Sequence, residues 1–151
     1  MTDVDQLRQR LEAVPFARLI GLRFVAADEE SLTMELPSSP GILNHVGTTH
    51  AAAQFALGEG VMGAMALVAF PDLVAKGAAP VLAEASVSYK RPASGTLRAR
   101  GVLPRAEQER VRAEFLATGR ARYDGPVELT NADGIVTTTL QVAMVLLVPR
   151  G

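Results

Sequence analysis

Residues 51–70 form a long apolar stretch, which constrains the fold more than any other part of the sequence. It is long enough to span a bilayer. However, Glu59 near its centre costs roughly 2.5–3.5 kcal/mol on membrane-insertion scales, Gln54 adds a second polar side chain, and no basic residue flanks either end. The stretch is also rich in Ala and Gly rather than Leu and Ile. These features favour a helix buried inside a soluble protein, and we expect no membrane partner.

Glu59 is the only formally charged residue between Asn44 and Asp72. A buried carboxylate is costly unless it is paired or its pKa is raised. Gly58 and Gly60 bracket this acid, and each glycine costs a helix interior about 1 kcal/mol relative to alanine. The two glycines therefore predict that another group approaches the helix closely beside Glu59.

The bulk composition limits the class of protein. The chain has 151 residues, 48% of them hydrophobic, so we expect one folded domain, residues 1–151, with a sizeable core. A net charge of −1 argues against a nucleic-acid binder. The absence of cysteine excludes disulfides, cysteine-based zinc sites and thiol nucleophiles. Residues 2–14 are charged and amphipathic, without the apolar core of a secretory signal, so a cytoplasmic enzyme or binding domain is the expectation.

Local patterns predict the helices. Residues 1–20 form an N-terminal helical segment. Thr48 or Thr49 supplies the N-cap of the long helix, which ends near Phe70. A helical insertion is expected at residues 104–120: its central part alternates as a strand does, but its charge spacing favours a short surface helix.

Six strands are predicted from alternating or continuous apolar runs bounded by turn residues. They cover residues 22–27, 31–37, 80–89, 96–103, 122–130 and 135–148. The order of elements favours an α+β fold in which one antiparallel sheet curls around the long helix. The exposed face or edge of such a sheet would be covered by a second copy, which predicts a dimer.

A spaced set of polar residues precedes and enters the long helix. The run reads NHVGTTHAAAQFALGEG, with the pattern Asn44-x-x-Gly47-x-x-His50 followed by Leu57-x-Glu59. Asn44 can donate a hydrogen bond to a carbonyl or a water, and a desolvated Glu59 can act as general base or nucleophile.

The start of the helix adds a second chemical function. Backbone N–H groups at Ala51 and Ala52 lie in the first turn, at the positive end of the helix dipole. Such donors stabilise a developing oxyanion. Together with Glu59, they suit an attack on an acyl carbonyl.

At these residues the chain resembles the hotdog-fold acyl-CoA thioesterases, in particular the phenylacetate-pathway (PaaI-like) branch. That branch carries Asn-x-x-Gly-x-x-His-Gly-Gly, then Leu-x-Asp or Leu-x-Glu on the central helix. The resemblance covers residues 16–148, including the YKRP turn and the Asp-Gly hairpin. It implies a central helix wrapped by a six-stranded antiparallel sheet, and homodimers or dimers of dimers with sites at the interface. The implied substrates are acyl-CoA thioesters, with coenzyme A as part of the substrate and no bound cofactor or metal.

The resemblance also implies roles for individual residues. Glu59 matches the catalytic acid, Asn44 matches the residue that positions the carbonyl or water, and Ala51 and Ala52 match the oxyanion-binding Gly-Gly. His50 is a candidate catalytic residue, with a structural hydrogen bond at the helix start as the alternative.

Further substrate contacts are expected in the loop and in the turn after the third strand. Gly47 belongs to the loop motif. Lys90 and Arg91 are candidates to contact the coenzyme A phosphates, and an exposed charged turn is the alternative.

Three features depart from the family pattern. Ala51 and Ala52 replace the Gly-Gly. The backbone N–H donors remain, but the methyl groups leave a substrate less room to reach them. Several relatives carry Ser or Thr on the third strand to hold the attacking water, and the aligned residue here is Leu82. Glu84 lies on the same face as Leu82 if the strand is regular, as a second acid or in an ion pair. A non-catalytic acyl-CoA-binding domain is therefore the alternative function, and a hotdog dehydratase is disfavoured by the spacing of His and acid.

Overall fold

The computed structural model describes residues 3–151, so the first two residues of the predicted N-terminal segment lie outside it. Its elements are α1 (Val4–Glu12), α2 (Pro15–Ile20), β1 (Arg23–Ala27), β2 (Ser31–Leu36), α3 (Ala51–Ala69), α4 (Pro71–Ala75), β3 (Ala79–Tyr89), β4 (Leu97–Val102), α5 (Arg105–Thr118), β5 (Arg120–Thr130) and β6 (Val136–Leu147). The six predicted strands are confirmed, each to within two residues at either end.

A six-stranded antiparallel sheet surrounds α3. The strand order is β1-β2-β4-β5-β6-β3, and every neighbouring pair is antiparallel. The helix packs against β2, β3, β4, β5 and β6. The predicted α+β architecture, a long central helix wrapped by one sheet, is confirmed.

Helix α3 forms the centre of the core. Leu57, Val61, Met62 and Met65 are fully buried on one broad face of the helix. By length and composition alone α3 is able to cross a membrane, but more than half of it lies inside the protein. Its apolar surface is explained by the sheet that covers it.

The expected N-cap of α3 is wrong. The helix begins at Ala51, and His50 is the N-cap instead of Thr48 or Thr49. Thr49 is fully buried because the loop folds its backbone against the turn after β3, where its N–H donates to the Ala93 carbonyl at 2.7 Å. Its buried hydroxyl has no hydrogen-bond partner among residues 3–151.

Helix α5 occupies the segment between β4 and β5. It packs on β5 through the fully buried Val111 and is tied to α4 by Arg112, which donates to Asp72 at 2.7 and 2.9 Å. With this helix between them, β4 and β5 pair only at Arg98–Thr130 and Ala99–Leu129.

The two glycines beside Glu59 have different surroundings. A Cβ on Gly58 would lie 2.6 Å from Leu140 Cδ2, so the predicted close approach is made by β6, within the core. A Cβ on Gly60 would meet only Leu22 Cδ1 at 3.5 Å, an ordinary contact distance. Gly58 is therefore required for packing, whereas Gly60 leaves open surface beside the acid.

The contrast between these glycines predicts opposite effects of the same substitution. Gly58→Ala should lower the free energy of unfolding by about 1–2 kcal/mol because the methyl group overpacks the buried Leu140. Gly60→Ala should raise it by about 0.5–1 kcal/mol because alanine favours the helix. Urea unfolding of both variants measures the difference, and equal stabilities would contradict the packing described above.

Candidate active site

Glu59 is half-buried in the middle of α3 and forms no hydrogen bond or ion pair within residues 3–151. Burial raises the pKa of its carboxyl group above the ordinary value. A Cβ on Gly63 would lie 3.8 Å from Glu59 Oε1 and 3.4 Å from Met144 Cε, so the acid lies beside an apolar side chain of β6. Desolvation and the charge of Glu59 also raise the pKa of the buried Tyr123. An unpaired carboxylate in these surroundings is a strong candidate for chemistry.

Small residues surround this acid on the helix surface. Ala52, Ala56, Glu59 and Gly63 follow one another at spacings of four, three and four, which places them on one face of α3. Gly60 is half-exposed next to them. Of these four residues, only Glu59 has a side chain longer than a methyl group. Phe55, four residues before Glu59 and partly buried, borders the same face. The exposed part of Glu59 can be approached by a ligand or a second protein.

The start of α3 leaves one backbone donor free. The N–H groups of Ala53 and Gln54 both donate to the His50 carbonyl, at 3.0 and 3.1 Å. The Ala52 N–H donates to His50 Nδ1 at 3.0 Å. Among residues 3–151, the Ala51 N–H has no partner. The expected pair of oxyanion donors is thus reduced to Ala51, because the imidazole of His50 occupies the other amide.

Asn44 organises the loop before the helix. Its Oδ1 accepts from the N–H groups of Val46 and Thr48, at 3.1 and 3.0 Å, and its Nδ2 donates to the Thr48 hydroxyl at 2.9 Å. Gly47 adopts a φ of +81°, the left-handed region that favours glycine. In this structure both residues shape the loop, and one N–H of the Asn44 amide remains for a ligand.

The expectation that Glu84 and Leu82 share a strand face is wrong. A β-bulge between them lets Leu82 pair with Met144 and Glu84 pair with the adjacent Ala143. Since Met144 faces α3, Leu82 lies on the inner face and Glu84 on the outer face of the sheet. Glu84 accepts a hydrogen bond from Arg122 at 3.0 Å, in an exposed ion pair.

The turn after β3 lies next to the helix start. The N–H groups of Lys90 and Arg91 donate to the Thr137 carbonyl, and their side chains are exposed. Tyr89, which the sequence did not single out, donates its hydroxyl to the Ala51 carbonyl at 3.0 Å. This contact places the Lys90-Arg91 pair near the start of α3.

Glu59 and the helix start are not brought together within one chain. The eight residues from Ala51 to Glu59 correspond to about 12 Å along the helix axis. Two clefts, of about 400 and 640 Å³, lie elsewhere, beside α5 and on the outer face of β4 and β5. No group of three His, Asp or Glu side chains in residues 3–151 is placed to hold a metal ion.

The capping contact of His50 is testable by stability. His50→Ala should lower the free energy of unfolding by about 1 kcal/mol, because the Ala52 N–H loses its acceptor. His50→Asn should retain most of the stability, since asparagine is a favourable N-cap. Urea unfolding of both variants provides the measurement, and an alanine variant as stable as the asparagine variant would refute the capping role.

Comparisons with known proteins place this geometry in a family. A model for a domain of unknown function, DUF4442, matches residues 6–146. No curated protein matches the chain.

Several solved structures are similar over nearly the whole chain. A Pseudomonas aeruginosa protein of unknown function, named a probable thioesterase, has 25% identity and a TM-score of 0.85, over 97% of this chain and 96% of its own. A Chlorobaculum tepidum protein of unknown function has 17% identity and a TM-score of 0.82, over 96% and 94%. A Haemophilus influenzae thioesterase has 14% identity and a TM-score of 0.74, over 97% and 92%. The chain shares the hotdog fold of these structures, two of which are named as thioesterases, and because the family model spans nearly its full length, it belongs to the DUF4442 family.

Proposed function

We propose that the protein hydrolyses acyl-CoA thioesters, with Glu59 as the general base. The observation that carries this proposal is the half-buried Glu59 carboxylate, which has no partner within residues 3–151 and has the small residues Ala52, Ala56 and Gly63 beside it on its helix face. A carboxylate with a raised pKa is a better base than an exposed one. The names of the Pseudomonas and Haemophilus structures support thioester hydrolysis as the reaction class.

The reaction requires a base and an oxyanion donor. Glu59 takes a proton from a water molecule as the water oxygen bonds to the thioester carbonyl carbon. The carbonyl electrons move to oxygen, where the Ala51 N–H donates a hydrogen bond to the oxyanion. When the carbonyl reforms, the carbon–sulfur bond breaks, and the proton held by Glu59 passes to the departing coenzyme A thiolate.

The base and the donor come from different subunits in this proposal. A distance of about 12 Å along α3 is too long for both groups to contact one reacting carbonyl. A homodimer solves this problem if the Glu59 face of one copy meets the helix start of the other. The edge of the sheet at β3 supports such a contact. Within residues 3–151, β3 is hydrogen-bonded to a strand on one edge only, so its other edge is free to pair. This long strand also exposes Val81 and Leu82 and carries a single charged residue.

Lys90 and Arg91 are proposed to bind the coenzyme A phosphates. Both side chains are exposed, and the Tyr89 contact to Ala51 places their turn beside the helix start. We place the activity in the cytoplasm, as homodimers or dimers of dimers, without a bound cofactor.

A specific observation favours the alternative, a non-catalytic acyl-CoA-binding domain. Leu82 puts an apolar side chain on the inner face of β3, and the Asn44 oxygen and the Ala52 N–H are already engaged. Such a protein would bind acyl-CoA without releasing free thiol.

A thiol-release assay separates these two functions. Purified protein is tested against short, medium, long and aryl acyl-CoAs, and Glu59→Gln should lower kcat at least about 100-fold because the base is lost. Glu84→Gln is the matched control, since Glu84 lies on the outer face. If the protein binds acyl-CoA but releases no more thiol than the Glu59→Gln variant, hydrolysis is rejected in favour of the non-catalytic binding function.

The raised pKa of Glu59 also predicts a pH dependence. Activity should fall as pH drops through a pKa above the ordinary carboxyl range, because a protonated Glu59 is no base. The free energy of unfolding changes with pH in the opposite direction. Because Glu59 binds its proton more tightly in the folded state, stability is lost as the pH rises from the pKa of the unfolded state to that of the folded state. Glu59→Gln should therefore have the higher Tm at neutral pH, with the difference vanishing in acid, and a constant difference would contradict the burial effect.

Subunit complementation tests the shared site. Ala51→Pro removes the free N–H at the first helical position, where proline is tolerated and His50 already has extended backbone geometry. It should lower kcat about 100-fold or more. The Ala51→Pro variant is then unfolded and refolded together with an equal amount of the Glu59→Gln variant. Half of the resulting dimers contain one subunit of each kind, and one of the two sites in such a dimer has both the base and the donor. The mixture should therefore recover about a quarter of the wild-type activity. Refolded mixtures that stay inactive would place base and donor in one chain.

A further inference from the structure

Four of the five buried polar residues in the described chain lie around the start of α3. They are Thr49, Gln54, Thr137 and Thr138. Gln54 Nε2 donates to the Thr49 carbonyl at 2.9 Å, and the Thr138 hydroxyl donates to Gln54 Oε1. These contacts fix the orientation of the Gln54 amide. The Thr49 carbonyl can only accept, so the amide nitrogen must face it, and the amide oxygen then faces the Thr138 hydroxyl, which can donate.

We infer that Gln54 and Thr138 are positioning residues that set the direction of the free Ala51 N–H. This inference rests on the proposed hydrolysis, in which that N–H holds the oxyanion. Neither side chain touches the proposed substrate, so both act through the helix start.

The backbone on the N-terminal side of the donor is fixed at two points. The Thr49 N–H donates to the Ala93 carbonyl at 2.7 Å, and the Thr49 carbonyl accepts from Gln54. The hydroxyl of Thr49 has no partner within residues 3–151. The backbone contacts therefore anchor this residue, and Gln54 supplies one of them.

The backbone on the other side of the donor is held from the neighbouring strand. Tyr89 donates to the Ala51 carbonyl at 3.0 Å, and Tyr89 is the cross-strand partner of Thr138. The peptide that carries the Ala51 N–H is thus bracketed by two held carbonyls, those of Thr49 and Ala51. Both constraints originate at one cross-strand pair of β3 and β6.

The sheet fixes the position of the Thr138 hydroxyl. Thr138 is fully buried in β6, where Tyr89 and Leu129 flank it on the two neighbouring strands. Because Thr138 is paired on both sides, its hydroxyl is held by the sheet, and Gln54 links the position of the sheet to the helix start. Loss of the Thr138 hydroxyl would free the Gln54 amide to rotate and release the Thr49 carbonyl.

The test uses conservative changes at Thr138 with a matched control. Thr138→Val keeps the shape and removes the donor, and Thr138→Ser restores it. Thr137→Val removes an equally buried hydroxyl, which lies 3.5 Å from the Thr138 hydroxyl but does not contact Gln54. Thr138→Val should lower kcat about ten-fold with KM for acyl-CoA within about two-fold, because a misaligned donor affects the transition state more than binding. Thr138→Ser should recover kcat to within about two-fold of the wild type, and Thr137→Val should leave kcat unchanged.

A double variant keeps the test valid if Thr138→Val does not fold. Gln54→Met with Thr138→Val replaces both side chains by apolar groups of similar shape, so neither side chain is left unsatisfied and the fold should be retained, while the Thr49 carbonyl loses its donor. Its kcat should fall as in the single variant. Wild-type kcat in either folded variant, or an equal loss of kcat in Thr137→Val, would overturn the inference.

Hydrogen exchange separates this inference from the proposed function. The amides of Ala53 and Gln54, which donate to the His50 carbonyl, report on the first turn of α3. Their exchange should be about ten-fold faster in Thr138→Val and unchanged in Thr137→Val. If the wild type releases no thiol, the hydrolase proposal fails, while the exchange rates still decide whether Gln54 and Thr138 hold the helix start. Unchanged exchange in Thr138→Val would overturn the inference.

Discussion

Helix α3 carries apolar or small side chains on every face, and each large one left in water would cost about 1.5–3 kcal/mol of burial free energy. A single twisted sheet of six antiparallel strands covers most of its circumference. The face that stays partly open holds Ala52, Glu59, Gly60 and Gly63. A lone carboxylate is tolerated in this helix because it lies on the side that the sheet does not close.

The polar residues before α3 are better explained by the loop they build than by direct chemistry. Asn44 closes the loop through three hydrogen bonds, Gly47 provides its left-handed turn, and His50 caps the helix. His50 accepts from the other three amides of the first turn, those of Ala52, Ala53 and Gln54, so only the Ala51 N–H has no partner within residues 3–151. The spacing of the motif thus produces one exposed donor at the positive end of a long helix dipole.

Long patterns were predictable from the sequence, and long-range contacts were not. The buried helix and the six strands follow from extended periodicity, and Glu59 was noticed because it is the single charge in an apolar run. Gly58 and Gly60 look alike in the sequence, and only Leu140, distant along the chain, distinguishes them. The bulge that turns Glu84 away from the inner face depends on the register between β3 and β6, which no local pattern encodes. Gln54 was visible as a polar residue in an apolar helix, but its partner Thr138 lies on the last strand.

The proposed dimer places two opposing effects on the acid. A second copy packed on the open face of α3 would remove more water from Glu59, which raises its pKa further and favours the neutral form. The same contact would bring the helix start of the partner close, and its positive dipole end and free N–H favour the charged form. The balance between these effects would decide how much of the base is ionised at neutral pH. A donor that stabilises the oxyanion would therefore also keep Glu59 charged, so the position of the Ala51 N–H affects both the base and the transition state.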